Sequence, residues 1–120
     1  MVITTKRVYE HASETDGIRI LVDRLWPRGI RKSTAAFDHW IKEIAPSPEL
    51  RRWFDHRIER FGEFELRYRI ELSSNPSVAE ALAIMANGKV TLLYAARDPK
   101  VNHAQVLARF LRGLRRPPGD

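Results

Sequence analysis

The stretch Val90-Thr91-Leu92-Leu93-Tyr94-Ala95-Ala96 decides the fold class. It is apolar almost throughout, too short for a typical helix, and bounded by Gly88 on one side and Arg97-Asp98-Pro99 on the other. Such a run reads as a strand covered on both faces, which is the habit of parallel sheets. Upstream, Ile18-Arg19-Ile20-Leu21-Val22-Asp23 reads as a second buried strand, ended by Pro27 and Gly29. Val2-Ile3-Thr4-Thr5-Lys6-Arg7-Val8-Tyr9 is rich in β-branched residues and reads as the first strand, joined to the second by the turn Ser13-Glu14-Thr15-Asp16-Gly17.

The remainder is helical in pattern. Phe37, Trp40, Ile41 and Ile44 recur at helical spacing and predict a helix over residues 35–44. Three later helices share one start signal, a capping side chain followed by proline: Ser47-Pro48, Asn75-Pro76 and Asp98-Pro99. The cap satisfies orphan amides, and proline at the first helical position loses nothing. These predict helices through Leu50 and Phe54, over about 77–86, and over about 100–114, with another over about 58–72. Trp40, Trp53, Phe54 and Tyr68 are expected in the core. The expected fold is a small α/β domain over residues 1–116, a mostly parallel sheet covered by helices, with one further short strand possible among segments read as loop or helix. Residues 117–120 are expected to form a flexible tail.

With 120 residues the chain fits one domain, and its 43% hydrophobic and 30% charged residues are those of an ordinary globular protein. It has no cysteine, so disulfides, thiolate metal sites and cysteine nucleophiles are excluded. No signal peptide or membrane span is read, and a cytoplasmic location is expected. His11, His39, His56 and His103 lack metal-ligand spacing, so neither a metal nor a cofactor is expected. Walker, dinucleotide-binding and nucleophile-elbow motifs are also absent.

The net charge of +6 calls for an anionic partner or for solvated basic helix faces. Unbalanced positive charge gathers at Arg24, Arg28, Arg31 and Lys32, and again at Arg109, Arg112, Arg115 and Arg116. Ligands of open α/β sheets sit outside the carboxyl ends of strands. Two such ends carry polar residues: Asp23-Arg24 with Trp26-Pro27-Arg28-Gly29, and Arg97-Asp98-Pro99-Lys100 with Asn102-His103. Asp23 is a candidate acid, base or orienting group, or else a structural hydrogen-bond acceptor. His103 is a candidate base or donor, or else a structural histidine. Arg24, Arg28, Arg97, Lys100 and Asn102 are candidate ligand contacts, Trp26 a pocket wall, and Gly29 the turn that aims Arg28. The reading favoured is a pocket for a small anionic ligand of the nucleotide or phosphorylated-metabolite class, in an enzyme or a binding protein. A nucleic-acid binder carried by the Arg109–Arg116 stripe is second, and a protein-interaction module third.

Taken together, Gly17 through Gly29, Ile44-Ala45-Pro46-Ser47, Leu50 through Phe54 with His56, Phe64 through Leu72, Val90 through Ala96 and Asn102-His103-Ala104 resemble the YeaO-like branch of domain-of-unknown-function family 488. The string Asp23-Arg24-Leu25-Trp26-Pro27-Arg28-Gly29 is its most specific part. The resemblance implies a compact cytoplasmic α/β domain and carries no reaction with it. Longer relatives have a cysteine-containing segment around the positions of Tyr94 and Asn102-His103, and that chemistry does not transfer to a chain without cysteine. The family often continues Asp-Pro after His56, where Arg57-Ile58 stands here.

Overall fold

In the computed structural model, which describes residues 2–114, four strands form one sheet: β1 (Ile3–Arg7), β2 (Ile18–Leu21), β3 (His39–Trp40) and β4 (Val90–Tyr94). The order is β1-β4-β2-β3 and every pairing is parallel. β4 therefore lies between β1 and β2 and is buried along its whole length, as its unbroken apolar run requires. The helices are α1 (Pro48–Phe54), α2 (Phe61–Ser73), α3 (Ser77–Met85) and α4 (His103–Leu114).

Alternation along the strands divides the core in two. Ile20, Val22, Val90, Leu92 and Tyr94 join the main cluster, which takes in Phe54 of α1, Phe64, Tyr68 and Leu72 of α2, Met85 of α3, and Val106, Leu107 and Leu111 of α4. Leu21 and Leu93 form a smaller cluster with Val8, against which Ile30, Phe37 and Ala95 pack. Helices supply the core of one face, and residues from loops cover the other.

That division corrects the helix expected over residues 35–44. The segment instead contains β3 and a single 3-10 turn over Lys42–Ile44. Its three- and four-residue spacing arises because Phe37 serves the smaller cluster while Ile41 and Ile44 serve the main one. Backbone bonds hold it extended: the Asp38 amide donates to the Arg19 carbonyl at 2.8 Å and the Ile41 amide to the Leu21 carbonyl at 3.0 Å. Trp40 is not a core residue; it is 37% exposed, with the Lys42 ammonium 5.5 Å from its ring. Trp53 is only partly buried and is flanked by the Arg60 and Arg67 guanidinium groups at 5.4 and 4.5 Å.

The caps follow the sequence with one shift. The Ser47 hydroxyl accepts from the Leu50 amide and caps α1 where expected, while Asn75 Oδ1 accepts from the Ser77 amide one residue ahead of the α3 cap position, which Pro76 occupies. Asp98 Oδ1 accepts from the amides of Lys100 and Val101, but this closes a turn rather than opening a helix. Helix α4 starts later, capped by Asn102 Oδ1, which accepts from the Gln105 amide at 3.1 Å.

The amino ends of β2 and β4 are tied by a buried polar group that the Lys6 side chain of β1 joins. Asp16 pairs with Arg19, accepts from the Ser13 amide at 2.9 Å and lies 3.3 Å from Lys6 Nζ. Its carbonyl takes the Thr91 hydroxyl at 2.7 Å. The Ser13 amide, then the side chains of Lys6 and Arg19, hold the Asp16 carboxyl below its ordinary value against the opposing effect of burial. Because the folded value is depressed, the stabilisation is fully present above the unfolded carboxyl value and is lost as pH falls through the folded one. Asp16→Asn is thus expected to cost about 3 kcal/mol near neutral pH, the typical loss when one partner of a buried ion pair is removed. Denaturant titrations in a pH series should show the gap to wild type closing in acid. A gap independent of pH would place the loss elsewhere.

Gly17 has φ +66°, and a Cβ there would stand 2.3 Å from the Lys89 carbonyl oxygen. That oxygen accepts from the Ile18 amide at 2.9 Å, so it cannot move away without breaking the first bond of β2. Gly17→Ala is expected to destabilise the domain by about 2 kcal/mol or more, from backbone strain plus a displaced strand. Equilibrium unfolding checks this.

Candidate functional site

The carboxyl ends of β2 and β4 open side by side, because both strands run parallel in register from Ile18 opposite Val90 to Leu21 opposite Leu93. Beyond them lies a cleft of about 820 Å³. One wall is the segment Asp23 to Arg28, a second is Ala95 to Asp98 with Val101, Asn102 and His103, and a third comes from Ala45-Pro46 and the end of α1.

Asp23 anchors the junction. Its Oδ2 accepts from the Ala95 amide at 3.0 Å, binding the end of one strand to the end of the other. Its Oδ1 is buried and lies 3.2 Å from His103 Nε2. The same nitrogen lies 3.0 Å from the Val22 carbonyl. Both neighbours are acceptors, so Nε2 carries the proton, and a neutral His103 ring has its lone pair on Nδ1. Asp23 and His103 were separate candidates in the sequence; the fold joins them into one pair in the cleft wall.

Arg24 has a structural job. It donates to the carbonyls of Ala45 and Pro46, both at 3.3 Å, and pairs with Glu43 at 3.3 Å. It holds the segment leading into α1 against the sheet. Tyr68 reaches the same segment from below, donating to the Ile44 carbonyl at 2.8 Å, and burial pushes its hydroxyl well above the ordinary value. Asn102 faces the cleft, yet its side chain is spent between the Asp98 carbonyl and the α4 cap. Trp26 is a wall, packed against Phe37 and Trp40, with its indole N–H given to the Ile30 carbonyl at 2.7 Å.

The remaining basic residues behave differently. Arg28 and Arg97 line the cleft and are exposed, and so are Arg51 and Arg52 from α1. None of these four makes an ion pair among the described residues. Gly29 and Lys100 do not line the cleft. Gly29, at φ +79°, serves the turn after Arg28. The sequence reading missed Arg51, Arg52 and His56 as cleft residues. Their helix is short, and no local pattern says that its last turn faces a strand end. Asp55 and His56 hold successive positive φ values of 51° and 55°, so this rim is built from strained backbone.

The second basic group is largely committed. Arg109 pairs with Glu65 at 2.9 Å and Arg112 donates to the Ile3 carbonyl at 2.6 Å. Arg115 and Arg116, like the expected tail, lie outside the described residues. No helix is long and apolar enough to cross a membrane among the described residues.

Comparison with known proteins is consistent across the chain. The chain is 48% identical to the uncharacterised protein YeaO of Escherichia coli (strain K12) over 115 residues, covering 95% of this chain and 100% of YeaO. It is 44% identical over 111 residues to an uncharacterised protein of Mycobacterium tuberculosis (strain ATCC 25618 / H37Rv), covering 92% of this chain and 94% of the relative. A Mycobacterium bovis protein matches at the same identity and coverage. No solved structure matches. The family described as the inactive DUF488-N3 subclade matches residues 2–116, and the chain belongs to that family.

Proposed function

We propose that this protein is a cytoplasmic binder of a small anion, held in the cleft at the carboxyl ends of β2 and β4. The observation that carries the reading is the set of cleft arginines, Arg28, Arg51, Arg52 and Arg97, that make no ion pair among the described residues. Nearby acids do not answer them. Asp23 accepts from the Ala95 amide and faces His103 at 3.2 Å, and Asp98 accepts from two amides of its own turn. Guanidinium groups left free around a concave site suit bidentate recognition of phosphate or carboxylate. Binding without turnover is favoured, since the family is described as inactive. The nucleic-acid reading is weaker, because Arg109 and Arg112 of the proposed stripe already have partners.

The test separates a binding arginine from a structural one. With pyrophosphate as probe, wild type should gain thermal stability, by about 2.7 kcal/mol at a ligand concentration of 100 Kd. The double variant Arg28→Ala, Arg97→Ala should keep its unliganded stability within about 0.5 kcal/mol, as exposed substitutions do, and lose the gain. Arg24→Ala should instead lower unliganded stability by about 1–3 kcal/mol, because charged hydrogen bonds to two carbonyls disappear. An unchanged pyrophosphate response in the double variant overturns the assignment.

A further inference from the structure

We propose that the anion taken by this cleft carries a flat aromatic body: the ligand class is an aryl or heteroaryl phosphate or carboxylate rather than a bare oxyanion. The inference rests on the anion-binding reading above and adds the chemistry of the rest of the ligand.

Size is the first argument. The cleft holds about 820 Å³, within the range of about 300–1,000 Å³ typical for organic ligands and cofactors. A tetrahedral oxyanion occupies only a few water volumes, at about 30 Å³ each. Arginines alone would therefore leave most of the space to solvent.

Wall chemistry is the second argument. Tyr9, Trp26, Phe54 and Phe64 all line the cleft, with Pro27 and Val101 beside them. The polar handles of the first two are already used: the Tyr9 hydroxyl donates to the Arg28 carbonyl at 2.9 Å, and the Trp26 indole N–H is held by Ile30. What these side chains can still offer a ligand is ring surface. Phe54 and Phe64, stacked with centroids 4.3 Å apart, form the buried apolar floor behind them. Charge and apolar surface are also divided between residues, the rings of Tyr9 and Trp26 on one hand and the exposed guanidinium groups of Arg28, Arg51, Arg52 and Arg97 on the other. An amphipathic ligand fits that division, with its anionic group among the guanidinium groups and its ring against the aromatic walls.

Calorimetric titration of the full chain in chloride buffer, at fixed ionic strength, tests this with phenyl phosphate, methyl phosphate and inorganic phosphate. Phenyl phosphate should bind at least tenfold more tightly than methyl phosphate. Tyr9→Ser should narrow that ratio, phenyl phosphate losing more affinity than methyl phosphate. The wild-type ligand series stands alone if the variant folds poorly. Equal affinity for phenyl and methyl phosphate overturns the aromatic body and leaves the anion site standing. No binding of any of the three overturns both readings. An eight-residue oligothymidylate that displaces phenyl phosphate, with affinity falling steeply with salt, overturns the small-ligand class in favour of a single-stranded nucleic-acid groove.

Discussion

The approach of Gly17 to the Lys89 carbonyl sets the register on which the rest of the molecule depends. It seats Ile18 opposite Val90 and so fixes β2 against β4. A slip of one residue would turn Ile20 and Val22 away from the helices and present Leu21 in their place. It would also part the Asp23 carboxylate from the Ala95 amide, the bond that makes two strand ends into one wall of a cleft. The positive φ at Gly17 and the polar group around Asp16 lie at one end of the sheet, and the cleft lies at the other. Four residues of parallel ladder connect them.

The charged residues around the cleft divide by what they have already bonded. Asp23 and Arg24 are adjacent in sequence and look alike as candidates, and both are bonded into the architecture, with Asp23 Oδ1 and Arg24 Nε buried without a hydrogen-bond partner among the described residues. One closes the β2–β4 junction, and the other fastens the Ala45-Pro46 segment. The arginines farther out have no such commitment. A guanidinium with a carbonyl partner contributes to folding, whereas one facing solvent around a concavity is available to a ligand at little cost in desolvation. The wall that Arg24 fastens is the one that carries Arg51 and Arg52, so a structural arginine positions two free ones.

The parallel arrangement was legible in β4. Seven residues without a charged side chain, ended by Arg97-Asp98-Pro99, have few other ways to fold. The caps at Ser47 and Asn75 were equally local, since each concerns a side chain and amides two or three residues away. The helix expected over residues 35–44 failed because periodicity reports which residues are buried but not in which core. Phe37 and Ile41 are buried on opposite faces of the sheet, and a spacing of four arises there without a helical turn. Asp98 failed as a helix cap for a related reason. Its local hydrogen bonds formed as expected, but they closed a turn that ends in the true cap, Asn102.

The sequence pointed to the ends of β2 and β4, and the two segments read there supply about half of the cleft's lining, because strand ends and their polar residues are contiguous in the chain. It determined membership of the family for the same reason, since the Asp23–Gly29 string is unbroken. Tertiary structure alone decided which charges are free. Whether Arg24 or Arg28 finds a carbonyl depends on Ala45 and Pro46, some twenty residues away, being folded back onto the sheet by Tyr68 and α1. It also decided that Arg51, Arg52 and His56 belong to the cleft, and that Asp23 meets His103 across eighty residues of chain. Pairings over such distances are set by packing of the whole core, and no local pattern encodes them.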